Sequence, residues 1–324
     1  MKRVFSAARP TGNQHLGNYL GALKNYVALQ EENSYQCLYC VADVHALTTM
    51  QNSIDLRRNT FNMVKDWIAA GLDPKRSIIF VQSHVPAVTE LHTLLSMITP
   101  LNWLLRVPTF KEKVKAHPEN VNYGLVGYPV LMTADVVLYK SEIIPVGEDQ
   151  LPHLELAREI VRHFNYSYGP VFPEPQAKLT AVPVVIGLDG KVKMSKSMDN
   201  HVELSLSEEE TTKRIMTAVT DVSRMRKSDP GHPDICNVFS LHKFFDLQNL
   251  EQIHYDCQKA FMGCVTCKQK LAQAINDELK PFRERRVMLS DEYIYDVIYD
   301  GAKRAIELAN QTLTEAKEAI GLLR

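Results

Sequence analysis

The sequence predicts an α/β architecture, with a parallel sheet covered by helices over residues 1–204 and a helical region over 205–324. Three observations predict it. Short apolar runs alternate with helix-period patterns through the first half, the pattern of a parallel sheet with both faces covered. Strand signals stop after about residue 205, where Ser207-Glu208-Glu209-Glu210 reads as a capping box opening a helix. The composition is that of an ordinary folded chain, 45% hydrophobic and 23% charged over 324 residues, which suits one large domain and a smaller one.

In chain order, Val4-Phe5-Ser6-Ala7 reads as the first strand. Tyr19 to Leu29 is a helix, with Leu20, Leu23 and Val27 at helical spacing. Cys37-Leu38-Tyr39-Cys40-Val41-Ala42 is a buried strand. Ile54 to Ala70 is a helix that Gly71 closes. Ser77-Ile78-Ile79-Phe80-Val81 is another strand, and residues 151–164 form a helix with Leu154, Ala157, Val161 and Phe164 on one face. Val182 to Ile186 is a late strand. Beyond it the patterns are helical, broken at Ser228-Asp229-Pro230-Gly231 and at Gly263. Ligands of such sheets bind beyond the carboxyl ends of the strands.

Lys and Arg number 37 against 38 Asp and Glu, a net charge of −1, so nucleic acid is bound only through a local basic patch. No apolar run reaches membrane-spanning length. The short apolar stretch before Pro10 does not suffice for a secretory signal, and residence in the cytoplasm is the expectation.

Two motifs carry chemistry. Pro10-Thr11-Gly12-Asn13-Gln14-His15-Leu16-Gly17-Asn18 follows a strand and opens a helix, where unpaired N–H groups and the helix dipole favour phosphate. Gly12 and Gly17 permit close approach of a base or phosphate, and His15 and Asn18 are polar groups one turn apart. An ordinary strand-to-helix loop is the plain alternative. Lys193-Met194-Ser195-Lys196-Ser197 follows Gly187-Leu188-Asp189-Gly190 and places two lysines and two hydroxyls where they can neutralise a departing polyphosphate. A solvated basic loop is the alternative there. No Walker-type phosphate loop is present.

Together the two motifs resemble the HIGH and KMSKS signatures of the class I aminoacyl-tRNA synthetases. The ending Gly17-Asn18-Tyr19 resembles the tryptophanyl-tRNA synthetase family, although Asn18 stands where the last histidine of the common motif stands. Four further blocks resemble that family in order: Val41 to Thr48, Thr109 to Lys113, Tyr128 to Asp135 and Pro145 to Gln150. The resemblance implies a Rossmann-like catalytic domain over 1–204 and a helical anticodon-binding domain over 205–324, with the last helix packing back on the first. It implies activation of L-tryptophan by ATP with Mg2+, then transfer to tRNA(Trp), by a homodimer. The carried-over catalytic set is Thr11, His15, Asn18, Lys111, Lys193 and Lys196. ATP contacts would add Arg9, Pro10, Gly17, Gly147, Glu148, Asp149, Val185, Ile186, Met194, Ser195 and Ser197. The nucleophile is the substrate's own ionised carboxylate, so positioning and charge stabilisation suffice and no side-chain base is needed.

Indole offers one donor, its N–H. A buried acceptor selects for it, since rivals leave the acceptor unpaired. Asp135 is the family's position for this contact, in a mostly apolar helical run where a helix-surface carboxylate is the alternative. Phe5, Met132 and Val146 would wall the ring, Tyr128 and Gln150 would bind the ammonium group, and His45 is a lining residue or a core histidine.

Cys236, Cys257, Cys264 and Cys267, separated by 20, 6 and 2 residues, offer four thiolates for zinc or a 4Fe–4S cluster; unligated cysteines are the alternative. Some members of the family carry such a cluster on a similar pattern with two more residues in the first gap, which favours iron over zinc. Cys37 and Cys40 also have CxxC spacing, but residues three apart on a strand face opposite ways, so they read as core. Arg224-Met225-Arg226-Lys227 and Arg283, Arg285 and Arg286 are candidate patches for tRNA phosphates, or solvated faces. Two rival functions are a tyrosine-specific synthetase and a nucleotide-responsive iron–sulfur regulatory protein derived from a synthetase.

Overall fold

The computed structural model describes the chain except residues 51, 108–109, 111–120, 180–183 and 323–324. Five strands, β1 (Lys2–Ala8), β2 (Tyr35–Val41), β3 (Ser77–Val81), β4 (Ile143–Val146) and β5 (Gln176–Leu179), form one parallel sheet in the order β3-β2-β1-β4-β5. Alternation along the inner strands splits the core in two. Val4, Cys37, Tyr39 and Ile79 face one side, and Phe5, Leu38, Cys40 and Phe80 face the other. Cys37 and Cys40 are therefore core residues on opposite faces.

The first helical segment is composite. α1 (Leu16–Asn18) runs through a π-helical turn, Tyr19–Leu23, into α2 (Lys24–Glu31). Next come α3 (Asp43–Ala46) and α4 (Ser53–Ala70). The Asn52 side chain accepts from the N–H groups of Ile54 and Asp55, and Gly71 closes α4 at a φ of 120°. After β3 follow a 3-10 turn, Gln82–His84, and the helices α5 (Ala87–Ile98), α6 (Leu101–Arg106), α7 (Tyr123–Leu138) and α8 (Leu151–Tyr168).

Two strands depart from the expectation. β4 contains Pro145 and lacks a long apolar run, so it carries little strand signal. β5 is a polar, partly exposed edge strand at Gln176–Leu179. The strand expected at Val182–Ile186 is not found in its described part: residues 182–183 lie outside the described residues, and Ile186 makes only an isolated antiparallel bridge to Lys193. Of its described residues Val185 is buried at 4% exposure, whereas Val184 is exposed.

The capping box at Ser207 is present. Glu210 N–H donates to Ser207 Oγ at 3.2 Å, and Ser207 N–H donates to Glu210 Oε2 at 2.9 Å. It opens α9 (Glu208–Met216), followed by α10 (Asn237–Phe245), α11 (Leu250–Gln258), α12 (Cys264–Met288) and α13 (Asp291–Ile320). Ile215, Val238, Leu271 and Phe282 share one apolar cluster with Val4, Leu20 and Trp67, so the helical region's core is continuous with one face of the sheet. α13 returns to β3. A Cβ at Gly301 would overlap the backbone carbonyl of Ile79, so only glycine permits this approach. Among the described residues no helix is long and apolar enough to cross a membrane.

Candidate active site

The strand order reverses direction between β1 and β4, and a crevice opens beyond the carboxyl ends of strands at such a switch point. The segment Arg9–Asn18 leaves β1 there, and Gly147–Gln150 leaves β4. Beside them, His45 follows β2 and Gln82 follows β3. The residues singled out in the first motif and in the block after β4 thus fall on one rim with His45.

In the first loop Gly12 has a φ of 141°, which disfavours any side chain. His15 is 7% exposed, and its Nδ1 is buried with no hydrogen-bond partner. Burial, reinforced by the charges of Lys196, His201 and Lys193, pushes its pKa down to about 3, so the ring is neutral at physiological pH. A Cβ at Gly17 would stand 3.0 Å from the His15 ring. Asn18 Oδ1 accepts from the His15 backbone N–H at 3.1 Å, which ties down the helix start and leaves the amide NH2 for other use.

The second loop meets the first. The Lys196 side chain lies over Gly12: a Cβ there would be 3.0 Å from its Cδ and 3.2 Å from its Nζ. The chain beyond the lysines makes this contact. Leu16 N–H donates to the Val202 carbonyl and Leu204 N–H to the Gln14 carbonyl, each at 2.9 Å, and Asn13 Nδ2 donates to Glu203 Oε2 at 2.9 Å. Asn200 fixes the loop base. Its Oδ1 accepts from Ser195 N–H at 2.8 Å, its Nδ2 donates to Asp189, and a Cβ on Gly187 would collide with it. Burial pulls Lys196 down to about 8, against the opposing pull of Glu203 and Asp66. Asp66, on α4, is 1% exposed and accepts from Arg286 Nε at 2.7 Å. Lys193 and Ser197 are exposed. The Val185 and Met194 side chains point into the core, and Met194 N–H donates to the Val185 carbonyl at 2.9 Å. Thr11, Glu148 and Asp149 are exposed on the rim, and Lys111 lies outside the described residues.

Asp135 is not a helix-surface residue: it is 2% exposed on α7. Gln82 Nε2 donates to both of its oxygens, at 2.9 and 2.8 Å, and His45 Nε2 lies 2.9 Å from Oδ2. His45 is 8% exposed and is hydrogen-bonded to Asp135. Phe5 lies on this face of the sheet, stacked on Tyr139 with ring centroids 5.5 Å apart; Met132 and Val146 are half-buried. Tyr128 Oη is 2.7 Å from His153 Nε2, whose Nδ1 is 3.1 Å from Gln150 Oε1, so the two residues assigned to an ammonium group are joined through one histidine.

Cys236, Cys257, Cys264 and Cys267 line one cavity of about 20 Å³ with Asp221, Arg224 and Met262. Among the described residues no three His, Cys, Asp or Glu side chains stand at metal-binding separations, so the thiols converge on the cavity without closing around it. Burial, with the other three cysteines near, pushes the Cys267 thiol up to about 12. Arg224 Nε is buried without a partner at this cavity, while its Nη1 and Nη2 donate to the carbonyls of Met262 and Lys227.

The two basic runs are only partly free to meet phosphate. Arg224 turns inward. Arg283 donates to Asn276 and Thr211, Arg285 to the Ala69 carbonyl and Arg286 to Asp66. These arginines tie α12 to its neighbours, although Arg285 remains exposed, and Arg226 and Lys227 are exposed too. Gln82, Asn200, Glu203 and Asp66 escaped the sequence reading. Single polar residues outside a motif carry no periodic signal, and only the fold places them.

A family model described as tRNA synthetases class I (W and Y) matches residues 1–280. The chain is 44% identical to the tryptophan–tRNA ligase of Thermotoga maritima over 99% of each chain. It is 41% identical to that of Deinococcus radiodurans over 100% of each. The crystal structure of the Campylobacter jejuni tryptophanyl-tRNA synthetase with ADP and tryptophan superposes with a TM-score of 0.90 at 34% identity, covering 99% of this chain and 100% of that one.

Proposed function

The chain belongs to the class I tRNA synthetases of the tryptophan and tyrosine group, and from that premise we propose how its cleft performs tryptophan–tRNA ligation. In that activity ATP and L-tryptophan yield tryptophanyl-adenylate and pyrophosphate, and the tryptophanyl group then passes to tRNA.

The reading rests on one observation above the others, the packing of the Lys196 side chain on Gly12, which brings the two loops to a single cleft. ATP lies between them. The tryptophan carboxylate attacks the α-phosphate, and the bond to pyrophosphate breaks. The neutral His15 ring, the Asn18 amide NH2 and Thr11 hydrogen-bond phosphate oxygens on the attacked side. Lys193, Lys196 and Lys111 take the charge that gathers on the leaving pyrophosphate, with Ser195 and Ser197 beside them. Mg2+ bound with ATP would share that charge. Gly17 faces adenine, Gly147 to Asp149 hold the ribose, and Arg9, Pro10, Val185, Ile186 and Met194 complete the nucleotide's surroundings through side chain or backbone. Asp135 accepts the indole N–H between Phe5, Met132 and Val146, and Tyr128 and Gln150 take the ammonium group. The test is ATP–pyrophosphate exchange with each amino acid supplied alone. Tryptophan alone supports exchange; exchange with tyrosine in its place overturns the reading.

The region 205–324 is the anticodon-binding part, with Arg226 and Lys227 as exposed phosphate contacts. Two copies of the chain pair, a reading supported by Met97, Leu101, Leu105 and Tyr123, all exposed apolar side chains on the neighbouring helices α5 to α7. The four late cysteines suit a 4Fe–4S cluster. Four soft donors line one cavity, and the unpartnered Arg224 Nε–H there fits hydrogen bonding to a cluster sulfur. The cluster would staple the loop before α10 to the start of α12. Protein purified without oxygen is expected to be brown and to contain iron, and Cys264→Ser to bleach it. Colourless protein with one zinc overturns the iron assignment.

A further inference from the structure

Gln82 forms no part of either signature motif, yet its amide donates to both oxygens of the Asp135 carboxylate. It leaves the carboxyl end of β3 in a 3-10 turn and is 1% exposed. The turn is pinned from below: Ser83 N–H and Oγ donate to the two Asp43 carboxylate oxygens at 3.0 and 2.5 Å. The orientation of the Gln82 amide follows from its neighbours. Its Oε1 accepts from the His45 backbone N–H at 3.2 Å, and a backbone N–H can only donate. The NH2 end therefore faces Asp135, where it donates to both oxygens. A flipped amide would set oxygen against carboxylate and N–H against N–H.

The two Asp135 oxygens end up unequal. Oδ2 accepts from Gln82 and from His45, while Oδ1 accepts from Gln82 alone. A carboxylate oxygen has two lone pairs, so Oδ1 keeps the clearer acceptor position for a further donor. Without Gln82 the carboxylate would be held at Oδ2 only, by one histidine, and free to turn about its last bond.

We propose that Gln82 is a specificity-positioning residue: acting through Asp135, it presents Oδ1 to the indole N–H and so sets the enzyme's rejection of side chains that lack that donor. The proposal rests on the reading above that Asp135 contacts the indole. Gln82 does not touch substrate itself. A filler of the pocket floor would change overall efficiency; a positioning residue changes the preference between donors.

The test compares tryptophan with 3-benzothienylalanine, in which sulfur replaces the N–H at nearly the same shape. kcat/KM is measured for both by ATP–pyrophosphate exchange in wild type, Gln82→Met and Asp135→Ala. Both substrates report on the same active molecules, so their ratio is independent of the fraction of a variant that folds. In Gln82→Met the preference for tryptophan is expected to fall by about 10-fold or more, mostly through loss on tryptophan, as when a buried acceptor is no longer aligned with its donor. A ratio that collapses in Asp135→Ala but keeps its wild-type value in Gln82→Met overturns the proposal and leaves the role of Asp135 standing. A ratio unchanged in both variants removes the role of Asp135 as well.

Discussion

Lys196→Ala slows tryptophan-dependent ATP–pyrophosphate exchange by on the order of 10²–10³-fold, the usual loss when one preorganised charge-stabilising group is removed from a transition state. Tryptophan binding, measured without ATP, is expected to change little, because the proposed role of Lys196 is on the nucleotide. The environment of the lysine adds a pH signature. Burial lowers it to about 8. In the ligand-free enzyme its positive charge is thus lost as pH rises through about 8, and ATP must restore that proton to use the group. Accordingly kcat/KM for ATP falls above about pH 8, since that parameter reports ionisations of the free enzyme. Lys196→Arg abolishes the falling limb, because a guanidinium keeps its charge. Stability moves the other way. Between about 8 and the lysine's ordinary 10.5 the unfolded chain holds more protons than the folded one, so this group's contribution to stability grows as pH rises through that window. Unchanged exchange in Lys196→Ala would remove the second loop from the chemistry.

Asp135→Ala lowers kcat/KM for tryptophan by on the order of 10–1000-fold, the range for losing a buried partner of a substrate donor. The structure adds a second consequence. The carboxylate anchors Gln82 and His45, so its removal leaves their buried donors unpaired, at a cost of about 1–3 kcal/mol per group. Urea unfolding of the variant separates this loss of stability from the loss of activity. A normal kcat/KM for tryptophan would mean that another group reads the indole.

The inner half of the fold was legible because its strands are buried on both faces. Ser77–Val81 and Tyr35–Val41 are nearly continuous apolar runs, and α4 is bounded by Asn52 and Gly71. The outer half was not. β4 is an apolar but four-residue run, Ile-Ile-Pro-Val, with an internal proline, and β5 reads Gln-Ala-Lys-Leu at an exposed edge, so neither shows a sustained strand signal. The apolar residues Val184 to Ile186 gave a strand signal where the structure has only an isolated bridge at Ile186. The site divides in the same way. Both loops were legible as contiguous motifs with glycines and charges at fixed offsets. Their convergence followed only from the family resemblance, because in the fold it depends on Asn200 and Glu203 and on the two backbone hydrogen bonds that bind residues 202–204 to the first loop. The arginines of α12 show the same limit. The sequence leaves them as a phosphate patch or a solvated face, and only the fold ties Arg283 and Arg286 to buried partners while Arg285 stays exposed.

Whether the two loops act on one nucleotide is tested most directly by a double-mutant cycle on the exchange rate, using His15→Ala, Lys196→Ala and the pair. Groups that meet on the same triphosphate share a partner, so the double variant loses less than the product of the two single losses. Losses that multiply would mean independent sites, and the shared cleft would be wrong.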